Sequence, residues 1–289
     1  MKVSILIVTH NSYPDIKETI DSILVNLSGI DYEIIVVDNN SSEIDNVEYL
    51  KAQSVRGDIR FVPLGVNIGF GRANNLAFSL ATSENILILN PDVAFDADSK
   101  SNILKLIKFL DNEEAIGAVS PSLIKPDGSI DCNYRLSINP FQLLFNRFKK
   151  IVHSKDLGGS ERLASSRLNV SSLAGAFIVI KSQNYRLIGG FDKRYFMYFE
   201  DLDFSLRLKE YGLDLFVLTD LFFKHNVGSS SRKRPHSMIY HMYKSAVQFY
   251  FKWGVFTLVR DAFVFFMVIP FTVIESLVRL AKGNSNVSD

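Results

Sequence analysis

Glu33-Ile34-Ile35-Val36-Val37-Asp38-Asn39-Asn40-Ser41-Ser42 passes without a break from a β-branched apolar run to a cluster of small polar side chains. The first half reads as a buried strand and the second as its exit turn. Val and Ile fit a pleated surface, whereas Asn, Asp and Ser bond to the local backbone and favour turns. The same pattern recurs three times: residues 3–8 lead into Thr9-His10-Asn11-Ser12, residues 60–63 into Gly65-Val66-Asn67-Ile68-Gly69, and residues 86–89 into Asn90-Pro91-Asp92. Around these runs the apolar spacing turns helical, with Ile16, Ile20, Ile23, Leu24 and Leu27 in residues 15–27 and Ile103, Leu106, Ile107 and Leu110 in residues 98–110. Strand–helix alternation predicts an α/β sheet of parallel strands with helices on both faces. Ligands of such sheets bind beyond the carboxyl ends of the strands.

The chain has 289 residues, enough for one large domain and an appendage. Its net charge of +1 gives no basic field for nucleic acid, and no nucleic-acid partner is expected. The charge is unevenly spread, with nine Lys/Arg against three Asp/Glu from Lys224 to Asp289. A single cysteine, Cys132, has no partner for an intramolecular disulfide, which points to a reducing cytosol. The apolar run of residues 3–8 is too short for a leader peptide and reads as the first strand.

Each polar strand end has an ordinary reading and a functional one. Asp38 is either a helix cap or an acceptor for the N–H of a pyrimidine ring. Gly69-Phe70-Gly71-Arg72-Ala73-Asn74 lacks the third glycine of a dinucleotide fingerprint and falls in the third strand–helix unit, so a nicotinamide enzyme is disfavoured. The loop either starts a solvated helix or brings Arg72, Asn74 and Asn75 to a nucleotide. In Asn90-Pro91-Asp92 the proline keeps Asn90 extended and presents a carboxylate just past a strand end. That group can hold a hard divalent cation, or the triplet is a plain turn.

Further on, Tyr195-Phe196-Met197-Tyr198-Phe199-Glu200-Asp201-Leu202-Asp203 puts three carboxylates on the first turn of a helix running to about Glu210, behind an aromatic wall. Acids there either cap the helix or do chemistry, and the helix dipole is expected to keep Asp201 ionised. His225 follows the strand-like residues 214–219 and 221–223 and reads as a structural imidazole or a ligand. The stretch 228–234, with three cations, reads as a solvated loop, a lid over anions, or both.

Taken in order, Val8-Thr9-His10-Asn11, Val36-Val37-Asp38-Asn39-Asn40-Ser41-Ser42, residues 67–75, Leu89-Asn90-Pro91-Asp92, Gly175-Ala176-Phe177, Gly189-Gly190-Phe191-Asp192, Glu200-Asp201-Leu202-Asp203 and His225 resemble the inverting family-two glycosyltransferases of the GT-A fold. The resemblance covers roughly residues 3–231, and within the family the chain looks most like the rhamnosyltransferases of bacterial O-antigen and surface-polysaccharide assembly. It implies a GT-A type mixed α/β sheet that binds a nucleotide sugar, flanked by helices. Thr9, Asn11 and Asp38 would bind the nucleoside with Asn67 and Asn75 beside it, and Arg72 and Asn90 would complete the donor pocket. Asp92 and His225 would hold Mg or Mn on the diphosphate. Asp201 would be the base, and Glu200 would orient the acceptor. Two positions depart from the family pattern. Asn90 replaces the first acid of Asp-x-Asp, which puts obligatory metal dependence in question. Ser171-Ser172-Leu173-Ala174 also lacks a frequent aromatic residue. The implied reaction moves L-rhamnose from a dTDP donor to a lipid-linked saccharide. The alternatives are a UDP- or GDP-linked sugar on the same scaffold, or a non-catalytic sugar-nucleotide or glycan-binding module.

Composition divides the chain into a catalytic domain, residues 1–235, and a helical tail, residues 236–289. The tail interleaves aromatic and aliphatic residues with Lys244, Lys252, Arg260, Arg279 and Lys282. Its longest uncharged apolar run, residues 262–274, falls short of the ~20 that a spanning helix needs. The tail therefore reads as a peripheral contact with the inner face of the cytoplasmic membrane, or as helices packed on the domain or on a homodimer partner.

Overall fold

Strands that are apolar at every position need cover on both faces, and the first strands of this chain have it. The computed structural model describes residues 2–136, 138, 165–226 and 236–253. In β1 (Lys2–Thr9), Val3, Ile5 and Ile7 enter one apolar layer while Leu6 and Val8 enter the other. Alternate residues of β2 (Asp31–Asp38) and β4 (Asn85–Leu89) divide in the same way. The first layer is covered by Ile16, Ile20 and Ile23 of α1 (Asp15–Asn26) and by Ile103, Leu106 and Ile107 of α4 (Ser99–Asn112). The second is covered by Ala73 and Ala77 of α3 (Phe70–Leu80) and by Phe204 and Leu208 of α6 (Glu200–Glu210). Between β2 and β3 (Arg60–Pro63) runs α2 (Ile44–Arg56).

The remaining described elements are β5 (Val93–Ala94), β6 (Ile116–Ile124), β7 (Ile130–Asp131), β8 (Tyr134–Arg135), β9 (Arg167–Val170), β10 (Ser172–Leu173), β11 (Phe177–Lys181), α5 (Ser182–Leu187), β12 (Asp214–His225) and α7 (His236–Lys252). The main sheet runs β3-β2-β1-β4-β11-β6-β12-β5, with β7 beside β6 and β9 beside β12. β1 to β4 pair in parallel, as the alternation predicts, whereas β11 is antiparallel to both β4 and β6, and β12 is parallel to β6. The sheet is therefore mixed. Two consecutive reversals restore the direction, so β6 and β12 run the same way as β1 to β4. Their carboxyl ends all share one edge of the sheet, and the start of β11 lies at that edge too.

One boundary differs from the sequence reading. The strand-like pieces 214–219 and 221–223 form one strand with a register irregularity between Leu218 and Phe222, and His225 is its last residue. α7 starts at the compositional boundary at residue 236, and its Phe249 and Tyr250 are buried against Tyr195 and Leu202, in line with the reading of helices packed on the domain. The stretch 227–235 and the tail from residue 254 onward lie outside the described residues. Among the described residues, no helix is long and apolar enough to cross a membrane.

Candidate active site

Thr9 and Asp38 end adjacent parallel strands and face each other in register. Both are buried, and Asn46 of α2 joins them, accepting from Thr9 Oγ1 at 3.4 Å and donating to Asp38 Oδ1 at 3.4 Å. Ser41 gives Asp38 its backbone N–H at 3.1 Å and its hydroxyl. Asp38 is thus not the cap of α2, whose N-cap position is Glu43. It organises the turn after its own strand. Asn11, in the left-handed region at φ 51°, accepts the N–H groups of Ser42 (2.7 Å) and Glu43 (3.1 Å). Thr9, Asn11 and Asp38 therefore belong to one hydrogen-bonded polar cluster, completed by Ser41 and Asn46, which sequence reasoning did not assign.

The glycine loop makes a second wall. Asn67 Oδ1 accepts the Gly69 N–H at 3.0 Å, and Asn39 Oδ1 accepts the Ile68 N–H at 2.8 Å. Gly69 sits at φ +87°, and a Cβ there would lie 2.2 Å from the Phe196 carbonyl oxygen, so only glycine lets the loop dock on the aromatic turn. Two residues assigned to the nucleotide are engaged elsewhere. The Asn75 side chain donates to the Phe191 carbonyl at 2.8 Å and accepts from Tyr185 Oη (2.7 Å) and the Phe191 N–H (2.8 Å). It clamps the Gly190-Phe191 corner and does not flank the polar cluster. Arg72 Nε donates to the Lys193 carbonyl at 2.8 Å and is exposed. Helix periodicity places a side chain on a face but does not say what packs on that face, and these partners come from the distant residues 185–193.

Asn90 is half-buried, with its N–H on the Ala176 carbonyl at 2.9 Å. Asp92 and His225 are brought together by the short β5–β12 ladder, in which Val93 pairs with His225. His225 Nε2 lies 3.1 Å from Asp92 Oδ1, and Nδ1 lies 2.8 Å from Asp131 Oδ2. Burial would lower the His225 pKa, but the hydrogen bonds to Asp131 and Asp92 prevail and lift it to about 9. The bond to His225 likewise holds Asp131 below the usual carboxylate range. Sequence reasoning did not single out Asp131, although its signal was present: Lys125-Pro126-Asp127-Gly128-Ser129 is a turn that folds β7 back along β6. Among the described residues no three His, Cys, Asp or Glu side chains converge on one point.

Glu200 and Asp201 open α6. Glu200 is buried, and its Oε2 has no hydrogen-bond partner among the described residues. Burial, reinforced by the neighbouring Asp201 charge, pushes its carboxyl well above the ordinary range. Burial also raises Asp201, against the N–H groups of Leu202 and Gly175 and the charge of Arg135. Desolvation outweighs the helix dipole that was expected to keep Asp201 ionised. Asp203 is a different kind of acid. It is fully buried and binds Arg207 Nε at 2.7 Å, Lys252 Nζ at 2.6 Å and Trp253 Nε1 at 3.0 Å.

A group whose folded pKa is raised stabilises the fold fully below its unfolded pKa and loses that contribution as pH rises through the folded value. Glu200, raised from an ordinary value of 4.5, and His225, raised from 6.5 to about 9, act in the same direction. The metal-free protein should therefore melt at progressively lower temperature as pH rises from about 5 to about 9. Glu200→Gln should flatten that slope, and thermal unfolding across this window reads it. An unchanged slope in the variant would mean that Glu200 is ordinarily ionised.

Residues 4–164 match the profile of Glycosyl transferase family 2. The N-acetylglucosaminyl-diphospho-decaprenol L-rhamnosyltransferase of Mycobacterium tuberculosis is 27% identical over 191 residues, 61% of this chain and 61% of its own length. Rhamnosyltransferase WbbL of Escherichia coli K12 is 29% identical over 224 residues, 74% of this chain and 79% of its own length. The match thus spans less than two thirds of the mycobacterial relative. Among solved structures, GalNAc-T7 with UDP, GalNAc and Mn2+ superposes with a TM-score of 0.62 at 15% identity, covering 86% of this chain and 47% of that one. The mannosyltransferase PcManGT of Pyrobaculum calidifontis, with GDP-Man and Mn2+, gives 0.57 at 17% identity, covering 98% and 75%. At these identities the two structures show a common fold.

Proposed function

The chain belongs to glycosyl transferase family 2 and has the GT-A fold, and from that premise we propose that it is an inverting glycosyltransferase moving a sugar from a nucleoside diphosphate onto a glycan hydroxyl. The observation that carries the proposal is that three groups lie toward one edge of the sheet: the Thr9–Asp38 cluster and the Asp92–His225 pair at or beyond strand ends, and the Glu200–Asp201 pair, whose Asp201 takes the N–H of Gly175 just before β11. A nucleoside, a diphosphate and an attacking hydroxyl need these three kinds of partner.

In the proposed reaction the acceptor oxygen attacks the anomeric carbon from the face opposite the diphosphate. The new C–O bond forms as the bond to the leaving phosphate oxygen breaks, and that oxygen keeps the electron pair. Asp201 takes the hydroxyl proton. One base suffices, as on the water side of an inverting glycosidase. Two close carboxyls cannot easily both ionise. Glu200, the more buried and without a partner at Oε2 among the described residues, keeps its proton, while the N–H groups on Asp201 favour its ionised form. Raised basicity makes Asp201 a stronger acceptor for the proton once the C–O bond begins to form.

The donor set at Asp92 and His225 would fit a divalent cation after His225, protonated at neutral pH, releases its Nε2 proton. It offers one carboxylate oxygen and one imidazole nitrogen, whose ring is fixed by Asp131, and leaves positions for diphosphate oxygens and water. Bound there, the cation supplies charge neutralisation for the leaving diphosphate. Asp92→Ala should abolish measurable Mn binding, and His225→Ala should weaken it less, because the carboxylate carries the charge that a hard cation prefers. Asp131→Asn should lower Mn affinity ~10–100-fold by loosening the ring. Calorimetric titration with Mn measures all three, and wild-type affinity in Asp92→Ala would remove the site.

The donor is proposed as a nucleoside diphosphate sugar. Relatives named for L-rhamnose transfer support including dTDP-L-rhamnose, and neighbours solved with UDP and with GDP-Man support UDP- and GDP-linked sugars at least as well. Purified protein incubated with this panel should slowly hydrolyse one donor. Thermal stabilisation by a donor without turnover would favour a binding module, and no response to any donor would sink the proposal.

For the tail we propose peripheral membrane contact, supported by its basic and aromatic composition and by the lipid-linked acceptor that the relatives' names imply. Truncation after Gly254 should release the protein from anionic vesicles and leave donor hydrolysis unchanged. Sedimentation with vesicles measures it, and a full-length chain that stays in the supernatant refutes it.

A further inference from the structure

Asp203 stands on the same helical turn as Glu200 and Asp201, yet it is fully buried and takes no part in the proposed chemistry. Its partners come from two other parts of the chain. Tyr195 Oη lies 3.3 Å from Oδ1, while Lys252 and Trp253, at the end of α7, reach the same oxygen at 2.6 and 3.0 Å. Lys252 also binds Asp192 Oδ2 at 2.7 Å, so one ammonium ties the loop before the aromatic turn to the helix after it.

The aromatic turn needs such support. Tyr198 and Phe199 are consecutive non-glycine residues at φ 66° and 68°, a left-handed conformation that persists only where the surroundings over-determine it. α7 supplies those surroundings. Ser245 Oγ donates to the Met197 carbonyl at 2.9 Å, His241 stacks on Phe196 with centroids 4.0 Å apart, and Phe249 lies 5.3 Å from the Phe199 ring. The same turn carries the glycine loop through the Phe70 N–H to the Phe196 carbonyl at 3.0 Å. A shift of α7 would therefore move the first turn of α6, and with it Asp201.

We propose that Lys252 and Trp253 are positioning residues that hold the first turn of α6 in its working place, which makes α7 a part of the active site. The proposal rests on the reading of Asp201 as the base. It gives the start of the tail a role in turnover separate from any contact that residues 254–289 make.

The test uses the full chain with Lys252→Met, Lys252→Arg and Trp253→Phe, measuring kcat, donor KM and the folded fraction of each. A misplacement of about 1 Å costs ~10²-fold in rate. Lys252→Met should lower kcat ~10–100-fold per folded molecule with donor KM nearly unchanged, and Lys252→Arg should restore most of it. Wild-type kcat in Lys252→Met overturns the proposal, as does a fall in activity that only follows the folded fraction. If Lys252→Met does not fold, Trp253→Phe decides, since it keeps an aromatic ring and drops the N–H donor. A several-fold fall in kcat at constant KM supports the proposal, and an unchanged kcat overturns it. Asp201→Asn is assayed in parallel. Full turnover there removes the base assignment while leaving the effect of Lys252 on kcat to be read by itself.

Discussion

Asp201→Asn is expected to lower sugar transfer ~10²–10⁴-fold, the usual contribution of a positioned base, while donor affinity and thermal stability stay close to wild type. The amide is nearly isosteric, and its oxygen can still accept the Leu202 N–H that the carboxylate holds at 2.8 Å. What disappears is the ability to take the acceptor proton. The proposed donor-binding residues Thr9, Asp38, Asp92 and His225 lie on or beside other strands, so donor binding has no reason to change. A transfer assay combined with donor titration separates the two effects. Near-normal turnover would move the role to Glu200, because Asp203 is already consumed by cationic partners.

Asp203→Ala, two residues further along the same helix, should have the opposite profile. The carboxylate is wholly buried and is paired with Arg207 and Lys252, so its loss leaves two poorly hydrated cations facing each other. Removing one partner of a buried ion pair costs about 3–5 kcal/mol, which for a chain of this size is a fall in Tm of about 6–20 °C. Asp192, held below the ordinary carboxylate range by Arg194 and Lys252 despite its burial, keeps Lys252 only partly compensated. Urea or thermal unfolding measures the loss. A cost under about 1 kcal/mol would mean that water screens the network as it does surface pairs. Two acids on one turn are thus distinguished by opposite readouts, rate for Asp201 and stability for Asp203.

The sequence could not make that distinction, since Glu200, Asp201 and Asp203 form one acidic cluster at a helix start. Their roles diverge because the helix turns Asp203 inward, toward a helix that begins more than thirty residues later. The same holds for the tail. Lys252 counts as one more basic residue in a composition, but the structure buries its ammonium between Asp192 and Asp203, where it does not meet a lipid surface. Asn75 follows the same rule in reverse: a polar residue on a nucleotide-facing stretch proves to be a backbone clamp.

Local chemistry determined the strands, the helices and the turn residues at the carboxyl edge. β-branched runs, 3.6-residue spacing and small polar side chains act over a few residues and leave their mark directly in the chain. The order of those residues also carried the family resemblance. Only the tertiary structure decided which polar groups meet. The antiparallel β11 lies between β4 and β6, the β5–β12 ladder joins Asp92 to His225, and the β6–β7 hairpin adds Asp131. These contacts link residues far apart in sequence, and they are selected by how the apolar faces stack, a property of the whole packed core that no short stretch of the chain encodes.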